Sequence, residues 1–174
     1  RANAAVKFVL VGDGPLRAAL QKKHPDLIFC GTRTGEQLAE HYASADVFLF
    51  PSETETFGNV TLEALASGLA VVAYDYAAAR LHIKDGASGI LIPYGDAYAF
   101  VDTAANLARE PQSLANMRQQ ARQHAESLDW QRVVKRFAAF LLGDPARLAS
   151  ASDDRKAESI EAVPVYYRRG LTLP

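Results

Sequence analysis

Two carboxylates, Glu55 and Glu63, stand with seven residues between them in the stretch Pro51-Ser52-Glu53-Thr54-Glu55-Thr56-Phe57-Gly58-Asn59-Val60-Thr61-Leu62-Glu63-Ala64-Leu65-Ala66-Ser67-Gly68. Glu63 is the only charged residue between Glu55 and Asp75. Its surroundings are Val, Leu, Ala and Ser, so a helix here is expected to bury it on most sides. A buried carboxylate costs several kcal/mol unless it is paired or hydrogen-bonded, and no Lys or Arg lies one turn away. Two adjacent hydroxyls of a ligand would satisfy it, since a hydrogen bond to a charged group contributes about 1.5–3 kcal/mol. A ribose diol has that form. A Lys or Arg distant in sequence is the other partner this pattern leaves open.

Gly58-Asn59-Val60 opens the same helix directly after a strand and loop. Free backbone N–H groups and the helix dipole at such a start suit a diphosphate, and a glycine lets the backbone approach closely. An ordinary helix start has the same appearance. Glu55 precedes this turn. A phosphate would repel it, so an uncharged sugar hydroxyl is its expected partner, with a surface role at the helix dipole as the alternative.

The elements that must position these groups alternate. Val6–Val11 reads as a buried strand closed by Gly12-Asp13-Gly14, followed by a helix to about Lys23. Strands are expected at 27–30, 47–50, 69–74 and 89–93, with helices near 36–44, 58–67 and 78–83 between them. Asp96 is the expected N-cap of a helix to about Arg109. Helices near 113–127 and 130–142 follow, the last with Val133, Val134, Phe137 and Phe140 at helical spacing and Asp129 as its cap. Short alternation of this kind predicts an α/β fold with a Rossmann-like parallel sheet flanked by helices, plus extra C-terminal helices. Ligands of such sheets bind at the carboxyl ends of the strands.

The 174 residues, 49% hydrophobic and 22% charged, suit one domain with a substantial core. We read residues 1–142 as that domain, truncated at its N-terminus, and 143–174 as a linker-like tail. The net charge of −1 gives no basic footprint for nucleic acid. The four histidines lack metal-ligand spacing, and the one cysteine, Cys30, reads as a buried, inert thiol. No apolar run reaches the ~18 residues of a membrane span.

The pattern Pro-Ser-x-x-Glu-x-Phe-Gly-x-x-x-x-Glu-Ala-x-Ala-x-Gly-x-Ala-Val-Val-Ala over residues 51–73 resembles the signature of the large retaining glycosyltransferase family with the two-domain GT-B fold. Phe8-Val9-Leu10-Val11-Gly12-Asp13-Gly14-Pro15, Ile28-Phe29-Cys30-Gly31, Tyr42-x-x-Ala45-Asp46-Val47, Asp85-Gly86-x-x-Gly89-x-Leu91-Ile92-Pro93 and Asp129-Trp130 stand in that family's order. The resemblance spans residues 6 to about 142. It implies the C-terminal, donor-binding domain of such an enzyme. Glu63 would bind the donor ribose, and Glu55 the transferred sugar or its phosphate end as the catalytic carboxylate. The N–H groups of Gly58, Asn59 and Val60 would face the diphosphate, Arg33 the nucleobase, and Gly12 and Gly14 would shape the cleft near the phosphates. The donor would be a UDP- or GDP-linked sugar, with no metal and no other cofactor. The reaction would displace the nucleoside diphosphate on its front face, keeping the anomeric configuration.

The same resemblance implies that an acceptor-binding N-terminal domain and a cationic Arg/Lys pair belong before residue 1, and that the chain alone is inactive. Ala77-Ala78 and Leu81 stand where the family often has Gly-Gly and then Glu. A cytoplasmic enzyme, peripheral at the inner face of the plasma membrane and acting on a lipid or polysaccharide acceptor, fits this picture. Other GT-B enzymes, such as a nucleotide-sugar epimerase or a phosphorylase, and a non-catalytic nucleotide-binding scaffold are the alternatives. Gly12-x-Gly14 is no dinucleotide fingerprint, because Arg17 occupies the third glycine position.

Overall fold

The computed structural model describes residues 6–55, 58–128 and 130–142. The chain divides into two compact units, Arg1–Leu128 and Asp129–Pro174. In the first, five strands alternate with helices: β1 (Val9–Val11), α1 (Arg17–Lys23), β2 (Ile28–Gly31), α2 (Gly35–Ser44), β3 (Val47–Phe50), α3 (Asn59–Ala66), β4 (Ala70–Tyr74), α4 (Ala77–His82), β5 (Gly89–Ile92), α5 (Ala97–Leu107) and α6 (Pro111–Glu126). Within the second unit, α7 (Trp130–Leu141) carries Val133, Val134, Phe137 and Phe140 on exposed positions. The expected cap Asp129 and the tail 143–174 lie outside the described residues.

All strand pairs are parallel, and they form two sheets: β1 with β2, and β3-β4-β5 with β4 in the middle. β4 explains the core. It is buried along its whole length, as a central parallel strand must be. Its side chains alternate between two clusters. Val71 and Ala73 join Ala64 and Leu65 of α3, Ala79 of α4, Ile83 and Ala121 of α6. Ala70, Val72 and Tyr74 join Ile92, Phe100 and Leu107 of α5 and Met117 of α6. Each fully buried Val or Leu here contributes about 1.5–3 kcal/mol.

Three expectations are corrected. The single sheet is two, because β1 pairs only with β2. β1 is also shorter than 6–11, and Val9, Leu10 and Val11 are 48%, 37% and 38% exposed on a strand whose one ladder partner is β2. Cys30 is half-buried, for the same reason.

Helix ends follow local chemistry. The Asp96 side chain accepts from the Ala99 N–H at 2.9 Å, capping α5 as expected. Pro111 begins α6, where its missing N–H costs nothing. The C-terminus of α3 is held by α6: Arg118 Nε donates to the Gly68 carbonyl at 3.0 Å, and Arg122 donates to the Ala66 carbonyl. Cations at a helix C-terminus are favourable with the dipole.

Candidate functional site

Because β3, β4 and β5 are parallel, the loops after them meet at one end of their sheet. The loop after β3 carries Glu55 and leads through Gly58 into α3. Gly58 is buried with φ +73, a left-handed backbone that glycine adopts without strain. A Cβ there would strike the Ala78 methyl and stand 2.9 Å from Glu55 Oε1. Glycine is therefore required twice at this position, by conformation and by space.

Glu55 is half-buried. Its Oε2 accepts the backbone N–H of Ala78, in the first turn of α4, at 3.1 Å. Its Oε1 is buried and has no hydrogen-bond partner among the described residues. A buried acceptor left open costs about 1–3 kcal/mol, more when charged. The oxygen stands beside Gly58, at the start of α3. No side chain caps that helix and no acidic residue lies in its first turn. The first N–H groups of a helix have no intrahelical acceptor, so those of Gly58, Asn59 and Val60 are available to an anion. Asn59 is exposed and Val60 half-buried.

Glu63 corrects an expectation. It is exposed, not buried on most sides, because α3 turns Thr61, Ala64 and Leu65 to the core and Glu63 away from them. No Arg or Lys forms an ion pair with it among the described residues. The phenol of Tyr42 is pushed up to about 12, first by burial and then by the charge of Glu63. The buried, unsatisfied carboxylate oxygen expected at Glu63 thus exists at Glu55.

Gly12 and Gly14 lie in the exposed turn after β1. Gly12 has φ +138 and its N–H donates to the Gly31 carbonyl, while the Gly14 N–H donates to Asp13 Oδ1 at 2.8 Å. That bond, then Arg17 at 2.8 Å, holds the Asp13 carboxyl below its ordinary value. Arg33 is exposed in the loop after β2. Gly12, Gly14 and Arg33 therefore belong to the β1–β2 sheet, whereas Glu55, Gly58, Asn59, Val60 and Glu63 belong to β3–α3.

Sequence reasoning missed three contributors. Ala78 supplies both a donor and a wall to Glu55. Ala77 sits at φ +45, a left-handed conformation rare for a residue with a Cβ. Tyr94, after β5, donates its hydroxyl to the Glu53 carbonyl at 2.9 Å and packs against Tyr74 and Tyr76, tying the loops after β3, β4 and β5 together. Only the departure of Ala77-Ala78 from a glycine pair was visible as a signal beforehand.

No helix among the described residues is long and apolar enough to cross a membrane. Comparison with known proteins places this arrangement. Residues 1–110 match the family model described as Glycosyl transferases group 1. A GDP-mannose-dependent alpha-mannosyltransferase of Mycobacterium tuberculosis is 46% identical over 115 residues, 66% of this chain and 30% of the relative. The sulfoquinovosyl transferase of Arabidopsis thaliana is 36% identical over 129 residues, 71% of this chain and 25% of the relative. The chain thus spans less than a third of the length of these curated relatives. Among solved structures, Anabaena HepE in complex with UDP superposes with a TM-score of 0.69 at 22% identity, over 82% of this chain and 42% of that one. The C-terminal domain of a glycosyl transferase group 1 family protein of Francisella tularensis does so at 0.63 and 22%, over 70% and 69%. The chain belongs to the Glycosyl transferases group 1 family and has the fold of the C-terminal domain of its GT-B enzymes.

Proposed function

We propose that this domain binds the nucleoside-diphosphate sugar donor of a retaining glycosyltransferase, whose acceptor site lies in another domain of the longer enzyme. The observation that carries this reading is the buried, open Oε1 of Glu55 beside Gly58 and the uncapped start of α3. A diphosphate placed on the N–H groups of Gly58, Asn59 and Val60 would bring its sugar hydroxyls to that oxygen. Developing negative charge on the departing diphosphate would be stabilised by the same fixed donors, which need no reorganisation as the bond breaks. Glu63, exposed and without a cationic partner among the described residues, is free to accept a ribose diol. Arg33, Gly12 and Gly14 are assigned to the base and phosphate side of the cleft.

GDP-mannose is the first donor to test, since the 46% identical relative is named as dependent on it; UDP and its sugars are the second, since HepE was solved with UDP. A cytoplasmic location follows from where such donors are used. No resident cofactor or metal is needed for the reaction as proposed.

Isothermal titration of the 174-residue chain with GDP, UDP and their sugars tests the reading. Binding of one nucleotide is expected, with Glu63→Ala weakening it by roughly tenfold or more, the loss of one to two charged hydrogen bonds. The chain alone is expected to transfer no sugar. Absence of binding to either nucleotide, or affinity unchanged in Glu63→Ala, removes the assignment, and turnover by the isolated chain removes the claim of inactivity.

A further inference from the structure

We propose that Tyr94 is a positioning residue for Glu55: its side chain clamps the loops after β3 and β4 together, so that the open carboxylate oxygen keeps its place beside Gly58. The inference deepens the donor-site reading of Glu55 and rests on it.

The contact to be positioned joins two loops. Glu55 Oε2 accepts the Ala78 N–H at 3.1 Å, and Oε1 is buried and open. Tyr94 touches both loops at the same remove from that bond. Its hydroxyl donates to the Glu53 carbonyl at 2.9 Å, two residues before Glu55. Its ring lies against Tyr76, two residues before Ala78, with centroids 5.3 Å apart and planes at 54°. One side chain from a third loop thus sets the spacing of the two segments that meet at Glu55 and Ala78.

The clamp is itself anchored. The Tyr94 ring centroid lies 6.0 Å from that of Tyr74, at the end of β4. Tyr74 is buried and packs in turn on Phe100 of α5 at 5.3 Å. Tilted ring pairs at these separations are a favoured aromatic geometry. Past Tyr94 the Asp96 N–H donates to the Pro93 carbonyl at 3.0 Å, a turn that fixes the backbone carrying the tyrosine.

Burial points to the loops, not the core, as what Tyr94 serves. Its ring is 55% exposed, so it adds little to the apolar interior. Glu53 and Thr54 are exposed as well. An exposed loop left unclamped samples many conformations, and ordering it on a ligand costs binding free energy. Tyr94 removes part of that cost before the donor arrives. A phenylalanine would supply the ring contacts, so the hydroxyl's bond to Glu53 is the part that bears on Glu55.

The experiment is a cycle between Tyr94, Glu55 and the sugar of the donor. GDP, GDP-mannose, UDP and UDP-glucose are titrated into the 174-residue wild-type chain, Tyr94→Phe, Glu55→Gln and the double variant, with melting temperatures measured in parallel. The pair whose nucleotide binds more tightly is compared. Tyr94→Phe keeps the ring and is expected to melt within a few degrees of wild type. It should lower affinity for the sugar nucleotide roughly two- to tenfold, the size of one ordinary hydrogen bond, and leave affinity for the bare nucleotide unchanged. In the Glu55→Gln background the same change should have no effect, because the hydroxyl acts through the carboxylate. A sugar-to-nucleotide ratio unchanged in Tyr94→Phe, while Glu55→Gln lowers it, overturns the positioning role and leaves the donor site intact. Equal losses for both ligands overturn it too, since they would show a tether for the whole site. A ratio unmoved by Glu55→Gln removes the sugar assignment of Glu55, and absence of nucleotide binding removes the donor site; either takes the inference with it. Amide hydrogen exchange gives a readout free of ligand. The Ala78 N–H should exchange roughly threefold faster or more in Tyr94→Phe, with the amides of β4 unchanged. Identical exchange at Ala78 would show that the clamp does not reach the Glu55 bond and would overturn the inference.

Discussion

The backbone N–H of Ala78 donates to Oε2 of Glu55 across 3.1 Å, joining residues 23 positions apart at one corner of the site. The bond satisfies one free donor at the start of α4, while the second oxygen of the same carboxylate stays buried and open. Two effects of similar size therefore oppose each other in Glu55→Ala. Loss of a helix-start acceptor costs about 0.5–2 kcal/mol, and removal of an unsatisfied buried oxygen returns about 1–3 kcal/mol. Urea unfolding is expected to show a stability change within about 1 kcal/mol of zero, or a gain, whereas calorimetry should show loss of the sugar-dependent part of donor binding. A large destabilisation would mean that Glu55 serves the fold.

Gly58→Ala should be among the costliest single substitutions in the domain. The left-handed backbone at φ +73 contributes about 1–2 kcal/mol, and the collision with the Ala78 methyl a further 1–3 kcal/mol or so. Adding Ala78→Gly in the same chain removes the collision with the methyl and leaves the backbone conformation and the close approach to Glu55 Oε1 in place. Partial recovery in urea unfolding is expected; full recovery would mean that neither the conformation at position 58 nor the approach to Glu55 carries strain, and none that the methyl of Ala78 does not obstruct position 58.

Ala77→Gly should act in the opposite direction. Alanine at φ +45 carries a left-handed cost of about 1–2 kcal/mol, and glycine adds about 0.4–1 kcal/mol of unfolded-state entropy. The balance is a gain of roughly 0.5–1 kcal/mol, readable as a higher urea midpoint with an unchanged slope. A loss of stability would show that the neighbouring loop relaxes around the alanine.

Alkaline stability reports on Tyr42. Burial first, and then Glu63, raise its phenol from 10 to about 12, so folding favours the protonated form. The stability this contributes is fully present below pH 10 and is lost as pH rises through about 12. Wild-type unfolding free energy should fall across that window, and Tyr42→Phe should flatten the fall. Absorbance of the phenolate in the folded protein should show a late-titrating tyrosine that is lost in Tyr42→Phe. Identical alkaline slopes in the two proteins would contradict the assignment.

The order of elements was legible because a buried parallel strand is written as an unbroken apolar run, and Ala70–Tyr74 is such a run between clear helix signals. The start of α3 and the cap at Asp96 were legible because Gly and Asp act through their own local geometry. What covers a strand is not local. Val9-Leu10-Val11 has the composition of a core strand, yet its exposure depends on partners that apolarity does not name. The orientation of Glu63 was misread for a related reason. Thr61, fully buried, defines the inward face of α3, while Leu62 is only half-buried, and composition ranks them the other way. Tyr94 and Ala78 reach the site through contacts between elements, which no spacing along one chain encodes.

The two guanidinium groups of α6 on the carbonyl end of α3 have an electrical consequence. A helix is a rod with opposite poles, and here only one pole is quenched: Arg118 and Arg122 occupy the negative end, while the positive end has neither a capping side chain nor a first-turn acid. Both cations are themselves paired, Arg118 with Asp46 and Arg122 with Glu126, and the Glu55 carboxylate stands beside Gly58, so what the opening turn offers an anion is its open N–H groups rather than net charge. Such donors act over about a few ångströms around Gly58, in a chain whose overall charge is −1, without a basic surface that would draw polyanions elsewhere.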